Sequence, residues 1–145
     1  MDALRLDHLN LSVRDLDEAV GWYGRVFGFA PVEEGTWDGV RWSILRSGEG
    51  RGDALLCVYH RPDYAFLSPE DLGRRRLHGT RHVGFRIADE ARWRQTIERE
   101  KLDVEEIPYP HSHSWYVQDP TGYEIEVVLW NGDRVVFEPL VKEVS

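Results

Sequence analysis

The feature that most constrains the fold is that the chain repeats one order of structural elements. The segment "DHLNLSVRDLDEAVGWYGRVFGFAPVEE" from residue 7 matches "RHVGFRIADEARWRQTIEREKLDVEE" from residue 81 in residue type and order. Each copy opens on an alternating segment that contains a His, passes through an Asp into a helical stretch, and ends in another extended segment. A repeat of this kind indicates one supersecondary unit used twice. The two halves are therefore predicted to share a fold.

The first half shows a strand followed by an amphipathic helix. Alternating apolar residues predict a half-buried strand at Leu9, Leu11 and Val13. Asp15 with Glu18 three residues later resembles a capping box, and Gly28 can end the helix. Apolar residues between them fall on one helical stripe: Ala19, Trp22, Tyr23, Val26 and Phe27. Extended segments are predicted near 31–35, 40–47 and 54–60.

The second half follows the same course. Val83, Phe85 and Ile87 alternate with polar residues or Gly, as in a strand. Asp89 can cap a helix over about 90–101, with Trp93 and Ile97 directed inward. Strands are predicted to follow near 103–107, 113–118 and 123–130.

These elements predict an α+β protein of two βαβββ modules in a single domain of 145 residues. Module one covers about 4–60 and module two about 80–130, with a connection at about 61–79 and a C-terminal tail at 131–145. The connection is long for a compact domain, which predicts a lid or an interface element.

Composition excludes several classes of protein. A formal charge of −8 argues against nucleic acid as a ligand, because phosphate binding uses clustered basic residues. The single cysteine cannot form an internal disulfide, and no apolar run approaches the roughly 20 residues of a membrane-spanning helix. The expectation is a cytoplasmic protein with no nucleic-acid partner and no membrane partner.

Three polar residues stand on strand faces opposite apolar ones: His8, His82 and Glu126. Alone, each is more often a solvated surface residue, and Glu124 and Glu126 together could be an exposed sheet edge. Glu126 is preferred over Glu124 because it lies further into its strand. If the two modules curve around a shared cleft, two imidazoles and one carboxylate form a facial set for a divalent metal with open positions.

The openings "DHLNLSV" and "RHVGFRI" and the closing "DPTGYEIEV" resemble the vicinal oxygen chelate superfamily, over about residues 4–130. The resemblance implies a U-shaped mixed sheet around a cleft, in which a metal chelates neighbouring oxygens of a substrate. It places His8, His82 and Glu126 at ligand positions. It also implies a small-molecule substrate and a homodimer.

Within that superfamily, "Y-x-x-D-P-x-G-x-x-x-E", from Tyr116 to Glu126, resembles the extradiol dioxygenase signature. The resemblance implies that Tyr116 donates a hydrogen bond to a metal-bound substrate oxygen while a nearby His handles protons. His60 and His113 are the candidates for that His, although His113 lies closer to the Tyr than the signature places it. Fe(II) is the preferred metal, with Mn(II), Ni(II) or Zn(II) as alternatives.

Two other functions stay open. A lyase or isomerase similar to glyoxalase I normally uses a fourth ligand from the fourth strand, but "ALLCVYH" offers only Cys57. A metal-free drug-binding protein of the same superfamily would need aromatic walls, which could be supplied by Trp37, Trp42, Trp115 and Tyr116. The thiol transferase branch is disfavoured because the segment before Tyr116 contains no Lys.

Overall fold

The computed structural model describes residues 6–48, 53–74 and 81–132. These residues form two compact units. The first unit contains the described residues up to Arg81 together with Gln118–Glu124, and the second contains His82–Val117 and the described residues from Ile125 onward. Each unit is organised around one four-stranded sheet.

The first unit has the predicted βαβββ order. Its elements are β1 (His8–Ser12), α1 (Leu16–Phe27), β2 (Ala30–Trp37), β3 (Val40–Arg46) and β4 (Leu55–His60). The strand order is β1-β4-β3-β2, with β1 parallel to β4 and the other pairs antiparallel. The first strand therefore lies beside the last strand of its own module.

Helix α1 begins and ends at the residues that the sequence indicates. The Asp15 side chain accepts a hydrogen bond from the Glu18 backbone N–H at 2.9 Å, which satisfies one unpaired donor of the first turn. Gly28 follows the helix with φ of 73°, a left-handed conformation that suits glycine. Ala19 and Tyr23 are fully buried, as the predicted apolar stripe requires.

The connection between the modules contains a short helix, α2 (Pro69–Arg74), which was not predicted. The Ser68 hydroxyl accepts from the Asp71 backbone N–H at 3.0 Å and caps it. Residues 75–79 of the predicted connection and 133–145 of the predicted tail lie outside the described residues. Within the described ranges, no helix combines the length and the apolar character needed to cross a membrane.

The second unit repeats the order of the first and confirms the predicted pair of modules. Its elements are β5 (Val83–Arg86), α3 (Glu90–Glu100), β6 (Val104–Pro108), β7 (Ser112–Gln118) and β8 (Glu124–Trp130). The strand order is β5-β8-β7-β6, with β5 parallel to β8. The Asp89 side chain caps α3 by accepting from the Arg92 backbone N–H at 3.0 Å.

The turn before β8 is built around a buried carboxylate. Asp119 Oδ1 accepts three backbone N–H groups, at distances of 2.8 to 3.0 Å, from Thr121, Gly122 and Tyr123. Asp119 Oδ2 accepts the Tyr23 hydroxyl at 2.9 Å. Gly122 has φ of 109°, and a Cβ there would lie 2.7 Å from Pro69 Cα, so no other residue fits without a shift. This turn fixes the start of β8.

Candidate functional site

The second unit carries a polar sheet face that centres on Glu126. Ile125 and Val127, its neighbours on β8, are fully buried on the opposite face. Because side chains alternate along a strand, Glu126 points away from that core. The register of β5 and β8 pairs it with Gly84.

Three side chains hold the Glu126 carboxylate. His82 Nε2 lies 3.0 Å from Oε2. The hydroxyls of Ser114 and Tyr116 donate to the other oxygen, Oε1, at 2.7 and 3.1 Å. The Glu126 side chain is 19% exposed and that of His82 is 32% exposed, so solvent reaches the pair. The carboxylate is oriented by donors on two other segments and remains accessible.

Tyr109 extends this set of contacts toward solvent. Its hydroxyl lies 2.9 Å from that of Tyr116. A carboxylate can only accept, so the single Tyr116 proton points at Glu126 and Tyr109 is the donor to Tyr116. Burial chiefly, with Tyr109 and Glu126 acting in the same direction, raises the pKa of Tyr116 above its ordinary value of 10.0. Tyr116 is therefore a hydroxyl donor at neutral pH.

The donor chemistry of His82 and Glu126 suits a divalent cation. Imidazole nitrogen and carboxylate oxygen bind such ions at about 2.1 Å, which puts adjacent ligand atoms of one ion about 3 Å apart. The 3.0 Å between Nε2 and Oε2 fits that requirement. Among the described residues, however, no three His, Cys, Asp or Glu side chains form a group that could hold a metal. The structure thus brings together two of the three predicted ligands.

The third predicted ligand, His8, lies in the first unit. Its Nδ1 is 2.7 Å from Asp7 Oδ2, and its side chain is 47% exposed. A carboxylate on Nδ1 orients the imidazole and leaves Nε2 for another partner. His8 stands at the start of β1, on the face opposite the buried Leu11.

His60, a predicted proton carrier, ends β4 in the first unit. Its Nδ1 lies 3.1 Å from the Val13 carbonyl oxygen. Because a carbonyl only accepts, Nδ1 carries the proton and Nε2 is the basic nitrogen of the neutral ring. This tautomer is the one that a proton acceptor at Nε2 requires.

His113, the other candidate, lies on the opposite face of β7 from Ser114 and Tyr116. Its ring stacks on Trp115 with centroids 4.4 Å apart and planes at 15°. Its Nε2 is 2.8 Å from Glu106 Oε1. His113 lies three positions before Tyr116, and residues an odd number of positions apart on a strand lie on opposite faces. The structure does not bring His113 to Glu126.

Arg94 of α3 completes the surroundings of His113. Its guanidinium donates to Glu106 Oε1 at 2.6 Å and lies 5.5 Å from the Trp115 ring. The hydrogen bond from Arg94 holds the pKa of Glu106 below its ordinary value of 4.5. This cluster ties α3 to β6 and β7, which is a packing role.

Cys57, the nearest residue to a fourth ligand, is a half-buried side chain on β4. Burial, with a smaller contribution from Asp7, raises the pKa of its thiol. The thiolate is the form that binds metals, so burial disfavours Cys57 as a ligand.

Sequence reasoning did not identify Ser114 or Tyr109. A signal existed for Ser114, since it lies two residues before Tyr116 and must share its face. Tyr109 lies beyond β6, and no periodic pattern connects it to Tyr116.

The family model described as the Glyoxalase/Bleomycin resistance protein/Dioxygenase superfamily matches residues 5–127 of the chain. No functionally curated protein shows significant sequence similarity to it.

Solved structures share the fold at low sequence identity. A glyoxylase/bleomycin resistance protein/dioxygenase domain from Frankia sp. EAN1pec has a TM-score of 0.73 at 14% identity, covering 92% of this chain and 96% of that one. A fosfomycin resistance protein from Listeria monocytogenes, complexed with Mn(II) and 1S,2S-dihydroxypropylphosphonic acid, has a TM-score of 0.67 at 14% identity, with coverages of 90% and 95%. The glyoxalase I of Leishmania major has a TM-score of 0.67 at 16% identity, with coverages of 88% and 87%.

Proposed function

The chain belongs to the Glyoxalase/Bleomycin resistance protein/Dioxygenase superfamily, and from that premise we propose that it is a divalent-metal-dependent enzyme that cleaves a catechol-like substrate by extradiol-type oxygenation. The observation that carries the proposal is the Glu126 carboxylate, with His82 Nε2 at 3.0 Å and the Tyr116 hydroxyl at 3.1 Å. An imidazole and a carboxylate suited to a divalent cation thus share one sheet face with a hydroxyl donor.

His82 and Glu126 would hold the metal, with His8 as the third ligand that the resemblance implies. Fe(II) is the preferred ion, and Mn(II), Ni(II) and Zn(II) are alternatives. A bound ion of this kind would supply chelation of two adjacent substrate oxygens. Ser114 keeps Glu126 Oε1 hydrogen-bonded, which fixes the carboxylate so that Oε2 faces His82.

Two acceptors can compete for the hydroxyl proton of Tyr116, namely Glu126 Oε1 and an oxygen of the proposed substrate. Without substrate, the proton goes to Glu126 Oε1. A substrate oxygen within reach would take that hydrogen bond, and Ser114 would still satisfy Oε1. The neutral Tyr116 hydroxyl then holds the substrate oxygen in place. His60, with its proton on Nδ1 and its basic Nε2, is the proposed proton acceptor.

A lyase or isomerase of glyoxalase type is the second candidate. Its support is the likeness of fold to the Leishmania major glyoxalase I at a TM-score of 0.67. Such chemistry needs a base that moves a proton between adjacent carbons, and β4, with sequence LLCVYH, has no carboxylate for that role. The extradiol reaction does not depend on a carboxylate from β4.

The test is elemental analysis of freshly purified protein, then anaerobic Fe(II) loading and a catechol screen in the presence of dioxygen. We expect about one metal ion per chain and a coloured ring-opened product. His82→Ala should lose the metal and remain folded, because Val83 and Phe85 still pack on the other face of β5.

Isomerisation of a 2-oxoaldehyde–thiol adduct would favour the lyase. Tight ligand binding by metal-free protein that binds no added ion would favour a binding protein. Light scattering on the same sample tests the expected homodimer.

A further inference from the structure

The strand beside Glu126 has an opening in its row of side chains. His82, Gly84 and Arg86 alternate along one face of the β5 segment, and Gly84 pairs with Glu126 while Arg86 pairs with Val128. A Cβ built on Gly84 would meet no heavy atom of the described residues within 4 Å. The surface between the Glu126 end and Arg86 is therefore open.

Arg86 and Trp130 stand together at the far end of that opening. Trp130 lies four residues after Glu126 on β8 and so shares its face. The Arg86 guanidinium carbon is 5.9 Å from the centre of the Trp130 ring. A guanidinium beside an aromatic ring keeps N–H donors at its edge for a planar anion. Arg86 is exposed, and no acidic side chain in the described part of the chain pairs with it.

The spacing suits one small ring. Two residues along a strand span roughly 7 Å, which separates Gly84 from Arg86 and leaves room for a six-membered ring between them. A ring whose adjacent oxygens lie at His82 and Glu126 would direct a substituent on its other side toward Arg86. A carboxylate there would meet paired N–H donors of matching geometry.

We propose that Arg86, supported by Trp130, binds a carboxylate of the substrate, which makes the substrate a catechol-type ring that carries a carboxylate. The inference rests on the proposed function for the position of the two adjacent oxygens. The formal charge of −8 gives the chain no general attraction for anions. Selection for a carboxylate would therefore depend on a local cation such as Arg86.

The experiment measures binding of three probes by calorimetry on the Zn(II)-loaded protein, which does not turn over. The probes are catechol, benzoate and 3,4-dihydroxybenzoate. The variants are Arg86→Gln, Gly84→Val and the matched control Arg92→Gln, which changes another exposed arginine of the second unit. We expect wild-type protein to bind 3,4-dihydroxybenzoate about tenfold more tightly than catechol.

Arg86→Gln should remove that preference, and Arg92→Gln should retain it. Gly84→Val should weaken the binding of all three probes, because a side chain would fill the opening. Equal melting temperatures of the variants establish that they are folded. Equal affinity of wild-type protein for catechol and 3,4-dihydroxybenzoate, or a preference that persists in Arg86→Gln, overturns the inference.

The two proposals fail in different ways. If benzoate binds as tightly as 3,4-dihydroxybenzoate, the adjacent oxygens contribute nothing and the proposed metal chemistry is contradicted. Loss of benzoate binding in Arg86→Gln would then still support the carboxylate subsite.

Discussion

The two repeated units place different chemistry at the same register position. In the first unit, β1 and β4 pair Asn10 with Cys57. In the second, β5 and β8 pair Gly84 with Glu126. Asn10 and Gly84 each lie two residues after the His of their module, so Cys57 and Glu126 are equivalent. One unit therefore has a half-buried thiol where the other has a carboxylate.

The neighbouring strand differs in the same way. Ile44 on β3 pairs with Cys57, whereas the Ser114 and Tyr116 hydroxyls on β7 donate to Glu126. The repeat therefore determines the backbone and its register, while a few individual residues give the two copies different side-chain chemistry.

Two acids of the chain, Asp119 and Glu126, differ in burial and in the partners of their carboxylates. Asp119 is 4% exposed and accepts from the Tyr23 hydroxyl and three backbone N–H groups. The Glu126 side chain is 19% exposed and faces an imidazole and two hydroxyls. Asp119 accepts hydrogen bonds from the backbone donors of a turn. Glu126 presents a carboxylate oxygen to His82, which solvent can reach. Substitutions should separate stability from function accordingly.

The largest expected effect on stability is that of Asp119→Ala. It leaves the Tyr23 hydroxyl and three backbone donors without their acceptor, which should cost about 3 kcal/mol or more. Urea denaturation measures the free energy of unfolding. A loss below about 1 kcal/mol would contradict the structural role of this carboxylate.

Tyr116→Phe should act on turnover and leave stability nearly unchanged. Removing one hydrogen-bond donor typically costs about 1 to 3 kcal/mol, so turnover of a catechol should fall roughly tenfold to a hundredfold while bound metal is retained. Steady-state kinetics with metal analysis checks this. Tyr64→Phe, an exposed tyrosine of the first unit, is the control. An unchanged rate would remove Tyr116 from the mechanism.

The two helix caps test whether the units are equivalent in their local structure. Asp15→Ala and Asp89→Ala each remove a side-chain acceptor from a first-turn N–H, and each should cost about 1 kcal/mol. Thermal melts of the two variants should shift by similar amounts. A large effect from one and none from the other would show that the modules do not share one capping energy.

The smallest effect is the pH dependence of two ion pairs. The Arg94 hydrogen bond holds the pKa of Glu106 below 4.5, and the Arg41 hydrogen bond holds that of Asp17 below 3.8. Each ion pair contributes its full stabilisation at a pH above the ordinary pKa of its acid. This stabilisation is lost as the pH falls through the lowered pKa of that acid. In Glu106→Gln, the free energy of unfolding should decrease slightly less steeply as the pH is lowered, and salt should weaken this difference. An unchanged pH dependence of the free energy of unfolding in this variant would contradict a stabilising role for the Arg94–Glu106 ion pair.

Much of the fold is predictable from local signals. Asp15, Gly28 and Asp89 are short-range features that determine helix ends wherever they occur, and the alternation in each strand reports its buried face. Helix α2 was missed although Ser68 with Asp71 three residues later is itself a capping pattern, because six residues give too little periodicity to read.

The site is predictable only in part. Its sequence pattern placed Glu126 on the right face, and the structure puts His82 beside it. The alternation of β7 indicates that Ser114 shares a face with Tyr116, but sequence does not reveal that β7 lies next to β8. Because side chains alternate along β7, His113 lies on the opposite face from Tyr116, and the sequence already indicates this. The ligand role of His8 stays a prediction.

A calorimetric titration of Mn(II) into wild-type protein, Glu126→Gln and Cys57→Ser tests whether Glu126 holds a metal ion. We expect about one ion per wild-type chain, a loss of affinity exceeding about 100-fold in Glu126→Gln, and unchanged binding in Cys57→Ser at the equivalent position. Wild-type affinity in Glu126→Gln would show that the Glu126 carboxylate does not bind the ion.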